Sequence, residues 1–250
     1  MIRERLTSII FGALGVALFL ALWEVIGVNR LAGLTWPPLS QVLQFLFEPA
    51  RRGLFLRAMG ATFTMVACGY LFGLIAGAVM AALVHMVRPM RPGMDKLASV
   101  VHAIPSIALA PIFIVLLSRE VTGIAIATLN VFFVIYIATT SGLANSTQAH
   151  RDLFQVLGSS RLNRLLRLDL PAAMPALSSG MKQAIPAAFI GAILGEWFGS
   201  SSGLGLLMVS AMQNFQIPLL WSAVLIASTA SLFTFAVMGL LERFVYARFQ

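Results

Sequence analysis

Apolar residues run in six stretches near 8–28, 58–87, 97–118, 121–143, 171–198 and 219–240, separated by short polar or basic segments. Each reaches the roughly 20 residues that a helix needs to cross the hydrocarbon core of a bilayer. Between the first two, Trp36-Pro37-Pro38-Leu39-Ser40 predicts a turn. Ser40 would cap a helical segment lying along the membrane surface over about 41–57, interrupted near Pro49. The segment between the fourth and fifth stretches has a different pattern. Leu153, Val156 and Leu157 recur at helical spacing beside Arg151, Asp152 and Gln155, and Gly158 stops that helix. Ser159 or Ser160 can cap a second helix, in which Leu162, Leu165, Leu166 and Leu168 alternate with Arg161, Arg164 and Arg167. Pro171 then opens the fifth stretch at a position helices tolerate. The fold class expected is all-α: one polytopic membrane domain of about six transmembrane helices. Residues 1–57 form an N-terminal helix and outer surface segment, 58–240 the core spans, and 144–170 a loop projecting from them.

Composition points the same way. The chain is 59% hydrophobic and 10% charged, with a mean hydropathy of +0.92, whereas a soluble domain carries about 25% charge. The net charge of +8 is therefore read as orientation in a membrane and not as a nucleic-acid footprint. Arg3, Arg5, Arg88, Arg91, Lys96, Arg151, Arg161, Arg164, Arg167, Arg243 and Arg248 fall on one side, against Arg30, Arg51, Arg52, Arg57 and Arg119 on the other. The excess predicts cytoplasmic N- and C-termini. Arg51, Arg52 and Arg57 fit least well, whereas 199–218 has no basic residue, as an outer loop should. The first stretch begins like a signal peptide, but its apolar run exceeds the roughly 7–15 residues of a signal core and no small-residue cleavage site follows. It is read as a retained helix.

Chemistry is sparse. The single cysteine, Cys68, cannot form an internal disulfide. No second histidine or cysteine stands at ligand spacing from His102, so no metal is expected. Gly199 to Gly203 fits the Gly-x-Ser-x-Gly hydrolase elbow, but it follows a membrane helix and not a strand. No phosphate-binding Gly-x-x-x-x-Gly-Lys-Ser/Thr loop occurs, so no ATP is expected on this chain. Within the spans, Glu24, Lys182 and Glu196 are ionisable and face protein by default. Lys182 and Glu196 are fourteen residues apart, roughly 21 Å along one helix, so each needs another partner. Lys182 either attracts an anion or reaches the surface. Asn130 is a further pathway candidate. In the third stretch, Pro105 and Pro111 bend or break the helix beside His102 and Ser106, either as a structural kink or to line a solute pathway. Gly69, Gly73 and Gly77, and Gly191, Gly195 and Gly199, each line one helix face, for internal packing or, in one of the two, for a dimer seam or a moving seam beside a pathway.

The loop resembles the "EAA" loop of permease subunits of bacterial ATP-binding-cassette importers. That pattern runs Glu-Ala-Ala, three residues, Gly, nine residues, Ile-x-Leu-Pro. Here Asp152 stands at the glutamate, Gly158 at the glycine and Leu168 at the isoleucine, and Leu170-Pro171 closes it at full spacing. Leu153 and Phe154 replace the two alanines. Pro38-Leu39-Ser40, the run His102 to Pro111, and Ser202-Gly203-Leu204-Gly205 resemble the sulfonate, taurine and nitrate branch, related to carriers of thiamine-pyrimidine precursors and riboflavin. Leu117 to Thr122 departs from that branch's usual Phe-Gly-x-Gly.

The resemblance implies an inner-membrane importer. Two permease subunits, expected to be identical, form the pathway; a dimeric cytoplasmic ATPase holds ATP and Mg; an outer solute-binding protein delivers the solute. It implies ATPase coupling through Asp152, Leu153, Phe154, Val156, Leu157, Gly158, Arg161, Leu168, Leu170 and Pro171. The expected pathway set is His102, Ser106, Asn130, Lys182 and Glu196. An ion-coupled carrier using Lys182 and Glu196 is the competing reading; it would need inverted repeats, and none is evident between 8–118 and 121–240.

Overall fold

Small residues let three long helices touch backbone to backbone, and these form the centre of the molecule. They are α3 (Arg52–Met86), α6 (Arg119–Leu143) and α9 (Leu170–Gly199). In the computed structural model residues 2–249 are described; the side chains of 1–6, 8 and 9, Arg3 and Arg5 among them, lie outside the described residues. Ala127 of α6 is pinched from both sides. A Cβ on Gly69 of α3 would stand 2.5 Å from its Cβ, and one on Gly191 of α9 would stand 2.5 Å from its Cα. Gly73 and Gly77 meet Val131 and Ile135 of α6, and Gly195 lies directly on the backbone of Gly123. Both glycine faces therefore serve internal packing. Val66, Tyr70, Val131, Ile135, Ile185 and Phe189 fill the core between the three helices.

Five of the expected spans are long apolar helices. Besides the central three, these are α1 (Ile2–Val28) and α11 (Ile217–Phe249). The third expected span is broken. The pair α4 (Arg91–Ala103) and α5 (Ser106–Leu116), taken from Arg88, is bent by 94°. Pro105 causes the break, because the residue before a proline is driven out of the helical region; Ile104 is extended at φ −73°, ψ 122°. Pro111 is carried inside α5 without a break.

Three further expectations are corrected. The surface segment is interrupted near Pro49, as expected, but its second part is not a surface helix. A short α2 (Leu39–Leu46) and a 3₁₀ turn at Pro49–Arg51 lead into α3, which already contains Arg52 and Arg57. Ser40 does not cap it, since Pro38 holds the cap position. Ser40 donates instead through its hydroxyl and its N–H to the Glu24 carboxylate at 2.6 and 3.0 Å, tying α1 to α2. The expected outer loop 199–218 is not loop throughout. It contains α10 (Leu204–Gln213), whose Leu204 and Met208 pack on Ala58, Ala223 and Ala227.

Pro171 stands in the first turn of α9, the position expected of it, but the second helix of the insert is not separate from α9. A helical turn, α8 (Arg161–Arg164), passes through a π-helical segment at Leu165–Asp169 directly into α9. Leu170 N–H bonds to Leu165 O, five residues back, and Pro171 follows within the first turn of α9, where its missing N–H is tolerated.

Candidate functional site

The insert has α7 (Gln148–Val156) at its head. Thr147 caps it, its side chain accepting from His150 N–H. Gly158, at φ +65°, ends it: Ser159 N–H reaches Phe154 O and Gly158 N–H reaches Gln155 O, both at 3.0 Å. That double closure needs a left-handed residue after the helix. Ser160, not Ser159, caps α8, accepting from Asn163 N–H at 3.2 Å.

The apolar side chains at the head are not used by the fold. Val156 is 84% and Leu157 72% exposed, and Leu153, Leu162 and Leu166 also stand out. Phe154 and Leu168 are half-buried, as are Leu170 and Pro171. Leu165 is buried against Leu143, Ala173 and Met86, anchoring the insert on the bundle. Asp152 is exposed and accepts from the Gln148 amide at 2.8 Å. Arg161 is exposed.

Beneath the head lies a buried polar node that the sequence did not announce. Asp169 is 1% exposed. Its Oδ1 accepts from Ser146 Oγ at 2.8 Å; its Oδ2 lies 2.9 Å from His85 Nε2 and accepts from Arg164 Nε at 3.3 Å. Ser146 Oγ in turn accepts from Arg151 Nε at 2.7 Å, while Arg151 Nη2 donates to Ala144 O at 2.7 Å. One carboxylate thus joins the end of α3, the segment after α6, α7 and the π segment. The one readable sign was an aspartate placed directly before Leu170-Pro171.

The pathway candidates do not form one site. Ser106 Oγ donates to Asn130 Oδ1 at 2.8 Å, and Asn130 Nδ2 lies 3.4 Å from Ala187 O, so this pair sits where the broken span meets α6 and α9. His102 is exposed and stacks on Phe133, with ring centroids 3.7 Å apart. Lys182 is elsewhere: its Nζ donates to Glu242 of α11 at 2.9 Å, above the Phe235 ring. Glu196 is fully buried, accepting from Thr62 Oγ1 at 2.7 Å and from Gly205 N–H at 2.6 Å. Thr62 Oγ1 also accepts from Leu204 N–H at 2.8 Å. The segment Ser202 to Gly205 therefore wraps the Glu196 carboxylate, with Gly203 at φ +130°. Ser201 follows a helix, and no strand occurs among the described residues, so the hydrolase-elbow pattern has no elbow. No group of three or more metal-ligating side chains occurs among the described residues.

Glu196→Ala leaves two buried donors without an acceptor, a loss of about 3 kcal/mol. A lowered thermal midpoint of the detergent-solubilised protein is the expected result; an unchanged midpoint would show that α10 is held by packing alone.

Comparison with known proteins bears on this arrangement. Residues 69–247 match the family model described as "Binding-protein-dependent transport system inner membrane component". A "Probable ABC transporter permease protein" of Haemophilus influenzae is 32% identical over 93% of this chain and 95% of its own. The "Formylaminopyrimidine transport permease protein ThiX" of Halalkalibacterium halodurans is 29% identical over 76% of each. The "Putative aliphatic sulfonates transport permease protein SsuC" of Bacillus subtilis is 26% identical over 93% of this chain and 85% of its own. Among solved structures, a chain of the MetNI methionine ABC transporter superposes with a TM-score of 0.70 at 16% identity, covering 80% of this chain and 99% of that one; the likeness is one of fold.

Proposed function

The chain belongs to the binding-protein-dependent transport system inner membrane components, the permease subunits of ATP-binding-cassette importers, and from this we propose that α7 is the handle by which a separate ATPase moves it. The permease is a multi-pass membrane protein and not itself the ATPase; an ATPase and a solute-binding protein are its general partners. The exposure of Val156 and Leu157 above a buried, hydrogen-bonded base carries the proposal. Apolar knobs on a short amphipathic helix suit a groove on a partner. Leu153 and Phe154 extend the contact, Asp152 and Arg161 edge it, and Gly158 sets the angle between α7 and α8. Leu168, Leu170 and Pro171 lie on the shaft. Because α8, the π segment and α9 are one continuous helix, a displacement of α7 passed on at the Gly158 joint reaches the centre of the membrane along a single rod. ATP and Mg act in the partner ATPase: closing its dimer draws α7 inward, and α9 carries α6 and α3 with it. The insert and both termini face the cytoplasm, and two identical subunits enclose the pathway.

Ser106 and Asn130 are the residues we assign to the pathway, because they meet at the broken span. His102 lies at its edge; Lys182 and Glu196 act through the α11 and α10 contacts that hold it. The solute is a small anion such as a sulfonate, taurine or nitrate, a reading supported by the similarity to SsuC over 93% of this chain. Against it, Ser106 and Asn130 are neutral and Lys182 is already paired. The ThiX relative makes a formylaminopyrimidine-like solute the second reading. A binding screen on the cognate solute-binding protein separates the two: tight binding of an alkyl sulfonate or nitrate supports the first, and tight binding of an aminopyrimidine replaces it.

Substitutions at Gly158 test the handle. Its φ of +65° costs a side-chain-bearing residue about 1–2 kcal/mol, and no atom lies within 4 Å of a Cβ there. Gly158→Val is expected to reduce uptake several-fold in proteoliposomes while insertion in the membrane is normal. Gly158→Asn, which tolerates that conformation, keeps most of it. Equal uptake by both variants would count against a fixed angle at this joint.

A further inference from the structure

Between the turn joining α3 to α4 and the insert lies a two-lobed cleft that the transport reading touches only at its rim, through Asp152 and Arg161. Its lobes, about 480 and about 550 Å³, share His85, Arg88, Gln155 and Arg164. Arg161 closes one lobe, and Arg91 and Arg151 line the other. The volumes fall within the roughly 300–1,000 Å³ typical of small-molecule sites.

The charge in this cleft is not balanced. Arg164 faces Asp169 at 3.3 Å and Arg91 faces Asp95 at 3.6 Å. Arg88, Arg151 and Arg161 have no carboxylate within 4.0 Å among the described residues. Asp152 is the other acid on the lining, so three unmatched guanidinium groups face one free carboxylate. Arg151 is held from behind by Ser146 Oγ and Ala144 O, which fixes its position and leaves donors over. The three arginines come from three elements, the α3–α4 turn, α7 and α8, and Arg88 is shared, so one lobe has Arg88 with Arg161 and the other Arg88 with Arg151; paired guanidinium groups on a polar cleft are the arrangement that recognises a phosphate group. Met86 and Pro89 supply an apolar wall to one lobe. Leu83, on the last turn of α3, and Val87, the residue after that helix, are 46% and 44% exposed. Exposed apolar side chains beside a basic cleft fit the boundary between hydrocarbon and headgroups, where basic pockets hold anionic lipid headgroups.

We infer that this cleft binds a phosphate group, supplied by an anionic lipid headgroup or by free phosphate, and that the bound phosphate bridges the α3–α4 turn to the insert. Asp152 and Arg161 border both the cleft and the proposed ATPase contact, whereas Val156 and Leu157 line neither lobe; the inference is therefore tested on the permease without the ATPase.

The test uses the full-length permease alone. Native mass spectrometry measures retention of phosphatidylglycerol against phosphatidylcholine for the wild type, for Arg88→Gln with Arg161→Gln, and for Arg243→Gln as a basic control outside the cleft. The wild type and the control retain phosphatidylglycerol selectively. The double variant binds it roughly 30-fold more weakly, each arginine contributing on the order of fivefold. A second arm adds inorganic phosphate to protein in phosphatidylcholine only and reads the thermal midpoint. A rise lost in the double variant identifies free phosphate as the source; selectivity for phosphatidylglycerol without that rise identifies the lipid. Arg88→Gln alone, at an exposed position, repeats both arms should the double variant unfold. Equal retention of both lipids by all variants with no phosphate-dependent rise overturns the inference. So does loss of ATPase co-purification by the double variant with wild-type lipid and phosphate binding, since the arginines would then be a protein-docking surface.

Discussion

Asp169→Ala is expected to reduce uptake to near background while the chain still reaches the membrane. The substitution removes the only acceptor shared by Ser146, His85 and Arg164. Asp169 is 1% exposed, and the Arg164 and His85 side chains are 23% and 18% exposed, so the donors left behind have little water to turn to. Removing one partner of a buried charged pair costs on the order of 3–5 kcal/mol. The cost falls on a joint and not on the core: Val131, Ile135 and Phe189 are untouched. Arg151 keeps Ser146 Oγ and Ala144 O, but the bond from Ser146 to the π segment is gone, so α7 stays tied to the segment after α6 and loses its carboxylate tie to α9. Basal ATP hydrolysis by the assembled complex is expected to persist while uptake is lost. Asp169→Asn keeps an acceptor for Ser146 and is expected to retain part of the transport. Full uptake by Asp169→Ala would mean that the continuous helix from α8 to α9 and the packing of Leu165 carry the motion without the polar node.

Gly195→Ala is expected to be the most damaging single methyl group in the chain. Its Cβ would fall on the Cα of Gly123, and helix backbone cannot rotate aside as a side chain can. Overpacking in a core costs about 1–3 kcal/mol when side chains absorb it; here α6 and α9 must separate along their length, so the upper end applies. The same change at Gly60, where no atom lies within 4 Å, should gain up to about 1 kcal/mol from helix propensity. Thermal unfolding in detergent reads both. Comparable midpoints for the two variants would mean that the α6–α9 seam is looser than its geometry.

The parts of the fold that are legible in sequence are those set by local patterning. Five apolar stretches became long helices because a run of some 20 apolar residues has few alternatives in lipid. The break at Pro105 and the stop at Gly158 follow from backbone restrictions on single residues. What could not be read depends on contacts between segments distant in sequence. Ser40 has the right residue type for a cap, but Glu24, sixteen residues back, takes its hydroxyl. The ten residues of α10 are too few to register as a span and acquire their place by packing on α3 and α11. Glu196 and Lys182 look alike on paper, an ionisable group in a span. Thr62 and Gly205 make the first a fastener for α10, and Glu242 makes the second a tie to α11. Asp169 was visible only as one acid in a basic loop, because its partners come from 85, 146 and 164.

Site-specific crosslinking tests the handle most directly. The chain has a single cysteine, Cys68, so a Cys68→Ser background carries Val156→Cys or Leu157→Cys as the only thiol. In the assembled importer, a short bifunctional reagent is expected to join either position to the ATPase, with a yield that changes when ATP closes the ATPase dimer. A thiol at exposed Phe215, beyond α10, should give no such product. Labelling of positions 156 and 157 from the outer face, or products with lipid alone, would contradict the proposed coupling.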